Sequence, residues 1–397
     1  MLTLSRKVQG VEESQTLALS AKARSMKEAG VDVISLTAGE PDFPTPRHVK
    51  EAAIKAIEAN FTHYTANQGI PELLDAIVKK FGEDNDLHFE TNQILVSSGA
   101  KQSIFNALQA ICNKGDEVVI ISPFWVSYPE MVKLADATPV IVKTCADDGF
   151  RVDRRRLRQS IHPKTKALII NSPGNPTGVV YTRSEMEDIA AIVKETGIFV
   201  ITDEIYEKVI YDGSRHFSLG SIKSIRDQVI TINGVSKAYA MTGWRIGFMG
   251  GPAKVMEEAA KVQSQVTSNP NSIAQKATVA ALLGPTSDLE MMVREFHRRR
   301  DLVYKSLSSI PYLGVQPPGG AFYFLFDIQK YYGKRFKNQL IKNSNDMARY
   351  LLEHHHVALV PGVAFGADDC LRMSYACSMT DLEKGVNRIK QGLEALA

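Results

Sequence analysis

Through the middle of the chain, short β-branched apolar runs alternate with segments of helical periodicity. This alternation restricts the fold more than any other feature. The runs that read as strands are Ile94–Ser97, Glu117–Ser122, Pro139–Val142, Ala167–Asn171, Phe199–Thr202, Val229–Asn233 and Arg245–Met249. Between them, Lys101–Ile111, Ser184–Glu195 and Lys254–Gln265 place apolar residues at helical spacing. Near-continuous apolar strands separated by helices form a mostly parallel sheet that is covered on both faces. The expectation is therefore an α/β domain over residues 45–289.

The texture changes after Pro285. A charged helix over Leu289–Leu307 leads into the turn Gln316-Pro317-Pro318-Gly319-Gly320, a strand Ala321–Phe326 and a helix Asp346–His355. Two short strands and a last helix follow, the helix opened by a capping-box pattern from Thr380 to Glu383. The chain has 397 residues, more than the ~250–300 at which a single core stops growing. A smaller α+β domain is expected from residues 1–44 together with 290–397, since both chain ends commonly complete a short domain.

Composition excludes several function classes. Hydrophobic residues make up 44% and charged residues 23%, ordinary for a globular chain. The net charge of +3 exerts no bulk pull on nucleic acid or membrane. The arginine-rich stretch Arg151–Arg158 reads as a solvated helix face. The cysteines, at 112, 145, 370 and 377, contain no C-x-x-C pair. With no apolar run at the N-terminus and none near the ~20 residues of a membrane span, a cytoplasmic location is expected. His354-His355-His356 cannot converge on one ion, because consecutive helical residues point about 100° apart, so no metal is expected. Neither G-x-G-x-x-G nor a P-loop occurs.

The residues that can carry chemistry fall at the expected C-terminal ends of strands, where open α/β sheets bind ligands. Ser97-Ser98-Gly99-Ala100-Lys101 opens a helix and can admit an anion to its N-terminus, or can be a tight turn alone. Asn171-Ser172-Pro173-Gly174-Asn175-Pro176-Thr177-Gly178 fixes an unusual path that holds Asn175 over the sheet. Asp203 closes an apolar strand, either as a buried acid that needs a donor or cation, or as the cap of a following helix. Lys237 follows another strand among small residues, where desolvation would make it a carbonyl nucleophile, and Arg245 lies eight positions on.

These motifs stand in one order, and together they resemble class I pyridoxal-phosphate-dependent aminotransferases of fold type I. Ser236-Lys237 followed by Gly243-Trp244-Arg245-Ile246-Gly247 is similar to the family's cofactor-attachment signature. The likeness runs from Thr37-Ala38-Gly39-Glu40-Pro41-Asp42-Phe43 to Arg372-Met373-Ser374-Tyr375-Ala376, and is strongest to bacterial aspartate aminotransferases carrying Ala240-Met241-Thr242-Gly243-Trp244-Arg245. The resemblance implies a large domain with a mostly parallel seven-stranded sheet and pyridoxal 5′-phosphate as cofactor. It implies that Lys237 holds the cofactor and moves the substrate's α-proton, while Asp203 pairs with the pyridine nitrogen. Asn175 and Tyr206 would bind the phenolic oxygen and Trp125 would stack on the ring. Arg245, Ser236 and the Gly99–Ala100 backbone would bind the phosphate. Tyr64 would reach the phosphate of a partner subunit, which makes the expected assembly a homodimer with shared sites.

For substrate, the resemblance implies amino acids and 2-oxo acids. Arg372 would grip the α-carboxylate with two parallel N–H donors, helped by Gly39. Lys101, beside the phosphate loop, with Ser14 and Thr16, would take a distal carboxylate. This favours aspartate and 2-oxoglutarate. Prephenate or aromatic amino acids are the alternative, although Glu12 and Glu13 stand where relatives active on prephenate often carry a basic residue. Gly234 stands where many relatives have Ser or Thr, so one phosphate contact is expected to be missing. A non-catalytic cofactor-binding regulatory module would need a DNA-binding segment, and no helix-turn-helix pattern precedes Thr37.

Overall fold

The protein is seen as a computed structural model that describes residues 3–12 and 15–397, with backbone only at 15–18 and 20. Ser14 therefore lies outside the described residues, as does the side chain of Thr16. The chain opens with helices α1 (Arg6–Gln9) and α2 (Gln15–Glu28) and a short strand β1 (Ile34–Ser35). Helices α3 (Arg47–Glu58) and α4 (Pro71–Asn85) lead to β2 (Ile94–Ser97) and α5 (Ala100–Ile111). Then come β3 (Glu117–Ser122), α6 (Ser127–Leu134), β4 (Thr138–Lys143), α7 (Arg154–Gln159), β5 (Thr165–Asn171), α8 (Arg183–Thr196), β6 (Phe199–Asp203), β7 (Val229–Gly234) and β8 (Gly247–Gly250).

Strands β2 to β8 form one sheet in the order β2-β8-β7-β6-β5-β3-β4. The pairs from β7 to β4 are parallel, and β8 runs antiparallel to both β2 and β7. The expected seven-stranded, mostly parallel sheet is present. Burial explains its strands: Val118, Ile120, Ile169 and Ile201 pack on one face with Ile104 and Leu108 of α5. On the other face Val119, Leu168 and Ile170 meet Met186, Ile189 and Val193 of α8. Each fully buried aliphatic side chain of this kind contributes about 1.5–3 kcal/mol relative to exposure. Helix α8 is bounded as its ends dictate, by a Thr182–Glu185 capping box and by Gly197 in the left-handed region at φ 72°.

Helices α9 (Ala253–Val266), α10 (Ser272–Leu283) and α11 (Ser287–Leu307) follow, so the expected boundary after residue 289 falls in the first turn of α11. Beyond it lie β9 (Tyr323–Asp327), the hairpin β10 (Arg335–Phe336) and β11 (Gln339–Leu340), and α12 (Ser344–His355). The last elements are β12 (Val357–Ala358), β13 (Val360–Pro361), β14 (Cys370–Ser374) and α13 (Met379–Glu394). Strands β13-β14-β9 form an antiparallel sheet, and β1 pairs in parallel with β12, so the N-terminal segment does join the C-terminal one.

Two expected boundaries are corrected. Arg245 is not in a strand: it sits at φ 57° after a turn at Thr242–Trp244, and β8 begins at Gly247. Apolar neighbours at Ile246 and Phe248 extended the strand pattern, but the left-handed residue turns the guanidinium back toward Gly99. The last helix is capped by Ser378, whose Oγ accepts from the Asp381 N–H at 3.1 Å, so the Thr380–Glu383 box lies inside it. The arginine stretch is a solvated face whose Arg151, Arg154 and Arg158 pair with Glu185, Asp188 and Glu195 of α8. Exposed pairs of this kind contribute at most about 1 kcal/mol each.

Candidate functional site

The ends of β5, β6 and β7 and the start of α5 meet in one place. Lys237 lies in the turn that follows β7, and its ammonium donates to the carbonyl of Gly39. Burial first, then the neighbouring Arg245 and Arg372, push its pKa down to about 8, against the opposing charges of Glu40 and Asp203. Such a lysine carries a far larger neutral fraction near pH 7 than a surface one.

Asp203 ends β6 and is 4% exposed. One carboxylate oxygen accepts from the Tyr128 hydroxyl at 2.7 Å and the other from the Ile205 N–H at 3.2 Å. Burial raises its pKa to about 6 even though these donors favour the anion. Residues 205–208 form turns and not a helix, so Asp203 is not a helix cap.

Beside these two groups is a cradle that only glycine permits. Gly99 precedes α5 at φ 92°, and a Cβ there would lie 2.3 Å from Nη2 of Arg245. A Cβ on Gly247 would lie 2.1 Å from the Ala100 nitrogen. Gly234 pairs with Gly247 across β7 and β8, where a Cβ would lie 3.0 Å from the Gly247 Cα. The guanidinium of Arg245 donates to the carbonyls of Thr242 at 2.9 Å and Ser98 at 3.3 Å, next to the free N–H groups that begin α5. A helix N-terminus with an adjacent arginine is an anion site by charge and by geometry. Lysine, buried carboxylate and anion cradle form the donor set that a phosphorylated, carbonyl-bearing pyridine would require.

Arg372, in β14, is 2% exposed. It donates to Asn175 Oδ1 at 3.2 Å and to the Thr37 carbonyl at 2.8 Å, while its Nε has no partner. Its guanidinium lies 4.6 Å from the Tyr323 ring centre and 5.0 Å from that of Phe365. No carboxylate pairs with it among the described residues. A buried cation without an anion is costly, so the position is set for one that arrives from outside. Tyr206 is buried, with its hydroxyl 2.8 Å from that of Tyr323 and its ring 5.8 Å from the Lys237 ammonium.

Of the remaining expected residues, Gly39 accepts from Lys237, Asn175 accepts from Arg372, Ala100 lies against Gly247, and Ser236 precedes Lys237 in the chain. Trp125 packs edge-on against Tyr128, with ring centres 5.4 Å apart, and the Lys101 ammonium stands 4.9 Å from its ring. Desolvation and the nearby Arg245 lower the Lys101 pKa. Tyr64 is 91% exposed. Three residues of the site had no assigned role in the sequence reading: Tyr128, Tyr323 and Glu40, whose carboxylate accepts from Thr242 Oγ1 at 2.6 Å. Tyr128 was recoverable, since it stands three residues after Trp125 at the start of a helix, the spacing of one helical face.

Comparison with known proteins agrees with this geometry. The family model for aminotransferase class I and II matches residues 31–389. A Petunia hybrida protein, named bifunctional aspartate aminotransferase and glutamate/aspartate-prephenate aminotransferase, is 47% identical over 397 residues, covering 99% of this chain and 83% of that one. An aspartate aminotransferase of Bacillus sp. strain YM-2 is 44% identical over 97% of this chain and 98% of its own. The crystal structure of the aspartate aminotransferase from Rhizobium meliloti superposes with a TM-score of 0.97 at 41% identity, with 100% of both chains covered. A family match over residues 31–389, together with relatives 41–47% identical across nearly the whole sequence, means that the chain belongs to the class I and II aminotransferase family.

Proposed function

We propose that the protein is a pyridoxal 5′-phosphate-dependent aspartate aminotransferase, moving the amino group of L-aspartate to 2-oxoglutarate by a ping-pong route to give oxaloacetate and L-glutamate. The observation that carries this reading is Arg372, buried, free of any carboxylate partner among the described residues and hydrogen-bonded to Asn175. Its fork of N–H donors matches the α-carboxylate of an amino acid.

When bound, the cofactor supplies an electron sink that acidifies the substrate's Cα–H. Lys237, with its lowered pKa, would hold the cofactor and would hold and return the α-proton at Nζ. Asp203 would pair with the pyridine nitrogen as a carboxylate and keep that nitrogen protonated. Tyr206 and Asn175 would donate to the phenolic oxygen, and Trp125 would stack on the ring. Arg245, Ser236, the Gly99–Ala100 backbone and Lys101 would hold the phosphate.

The Lys101 ammonium, with Ser14 and Thr16, receives the distal carboxylate of a dicarboxylic substrate. Gly39 adds a backbone contact to the α-carboxylate. Residues 1–44 and 290–397, as a smaller domain bearing Arg372, close over substrate and exclude water. Full exposure of the Tyr64 ring supports its use in a partner's site, and so a homodimer. The cysteines are all free, in keeping with the cytoplasm. No helix of the described residues is long and apolar enough to cross a membrane.

The test is a panel of amino donors followed by cofactor absorbance. Aspartate and glutamate should convert fastest, and phenylalanine ranking far above aspartate would overturn the substrate assignment. Wild-type turnover by Lys237→Ala would overturn the mechanism. A second reading, prephenate as an additional amino acceptor, is favoured by the name of the Petunia hybrida relative. Including prephenate in the same panel decides it.

A further inference from the structure

Behind the site lies a second cluster of charges that the proposed chemistry does not use. Glu204, next to Asp203, is fully buried. Its carboxylate accepts from Ser218, from His216 Nε2 at 2.8 Å, from Asn85 at 3.2 Å and from Thr202 at 3.2 Å. Glu207, one turn on, accepts from Asn85 at 2.6 Å and pairs with Lys80. Lys80 is flanked by Asp84 at 3.5 Å, and Asp84 pairs with Lys208 at 2.6 Å. Three segments are thus joined: α4, the turn after β6, and the loop 216–218.

Glu204, Glu207 and His216 bring their ligand atoms within 4.8 Å of one another, a spacing that would suit a metal ion. Lys80 excludes that reading, because its ammonium already lies against Glu207 and Asn85. With both glutamates ionised, two cations are needed to balance them. Glu204 and Glu207 are offset by Lys80 together with a protonated His216. The second ring nitrogen, Nδ1, is buried without a partner, so Glu204 and Ser218 are the imidazole's hydrogen-bond contacts among the described residues.

We propose that His216, as an imidazolium, is a positioning residue of the site: it neutralises Glu204 and so fixes the 203–207 turn that carries Asp203 and Tyr206. Without that charge, Glu204 would be a buried anion beside a second carboxylate, and the turn would move to hydrate it. Asp203 and Tyr206 would move with it, since they share the same short stretch of backbone. Burial lowers the His216 pKa, but Glu204 and then Glu207 outweigh it against Lys80, and the pKa stands above the ordinary value. The positioning role rests on the aminotransferase reading; the charge state of His216 does not.

The test uses the full chain and two readouts. Histidine ring resonances of the cofactor-free protein, assigned to His216 by their loss in the double variant Glu204→Gln/His216→Gln, are titrated by NMR. Loss of the proton above the ordinary ~6.5 of histidine supports the proposal, and titration at or below that value overturns it. Binding of pyridoxal 5′-phosphate is then compared across variants. His216→Gln should bind about tenfold more weakly, the size of a one-unit electrostatic change. The double variant, with neither charge, should return to within about twofold of wild type. Unchanged affinity in His216→Gln, or no recovery in the double variant, overturns the proposal. A purely structural role would lower the thermal transition of single and double variants alike. Should His216→Gln fail to fold, the double variant's cofactor affinity decides: within about twofold of wild type supports the proposal, and a loss of about tenfold overturns it. Failure of the aminotransferase reading would show separately, as wild-type protein that binds no cofactor.

Discussion

Lys237→Met should make the cofactor-free protein more stable at neutral pH while removing its activity. In the native chain, burial with help from Arg245 and Arg372 lowers the lysine pKa from 10.5 to about 8. At about 1.4 kcal/mol per unit, a shift of this size corresponds to about 3.5 kcal/mol of preference for the neutral amine. The side chain keeps partial contact with solvent, so screening reduces the expected effect to about 1–2 kcal/mol. The hydrogen bond lost with the ammonium is one to Gly39, an exposed residue whose carbonyl water can satisfy. Between about pH 8 and pH 10.5 the folded wild type binds fewer protons than the unfolded chain, so its stability rises with pH through that window. The advantage of the methionine variant should therefore be largest below about pH 8 and vanish above pH 10.5. Urea unfolding of both cofactor-free proteins at the two ends of that window measures the difference directly. A methionine variant less stable than wild type at neutral pH, or an advantage that does not change with pH, would refute the reasoning.

Arg372→Leu removes the α-carboxylate grip and should lower kcat/KM for aspartate by about 10²–10³-fold, as expected for a buried charge-paired contact, with cofactor binding retained. Steady-state kinetics beside a cofactor titration separates the two effects, and a loss under about tenfold would count against the assignment. Gly99→Ala forces a Cβ against Arg245 at a backbone angle that disfavours side chains, so the dissociation constant for pyridoxal 5′-phosphate should rise at least about tenfold. Equilibrium titration by absorbance checks this, with unchanged affinity ruling the cradle out. Tyr128→Phe leaves one oxygen of Asp203 without its donor, a charged hydrogen bond of about 1.5–3 kcal/mol, and should weaken cofactor binding by about tenfold or more. Competition between variant and wild type for limiting cofactor would expose the difference.

The sheet was legible because its central strands are buried on both faces and read as near-continuous apolar runs, while only the edge strand β4 is largely exposed. The candidate residues stood out for a related reason: Asp203 closes β6, and Lys237 and Asn175 stand three and four residues beyond the ends of β7 and β5, where their side-chain types conflict with the apolar runs before them. Arg245 was placed in a strand because periodicity cannot see a left-handed residue other than glycine. Tyr323 was hidden inside an apolar strand, where a tyrosine looks like core, although its hydroxyl meets Tyr206. The Glu204, Glu207, His216 and Lys80 cluster could not be read at all. Lys80 stands over a hundred residues from the other three, and each alone looks like an ordinary surface charge.

Three charges at the site are held in states that a folded protein would not choose for its own stability. Lys237 is pushed toward the neutral amine, and Asp203 toward the neutral acid. Arg372 remains a cation with no anion beside it among the described residues. A protein of marginal stability tolerates such costs where a ligand can relieve them. The complement that relieves all three at once is narrowly defined: a carbonyl for the amine, a protonated ring nitrogen for the carboxylate, and an external carboxylate for the guanidinium. The Glu204 cluster is the contrasting case, since a protonated His216 would satisfy its charges internally and leave no place for a ligand. By this criterion the first cluster is suited to bind and react, and the second to the positioning role proposed for it.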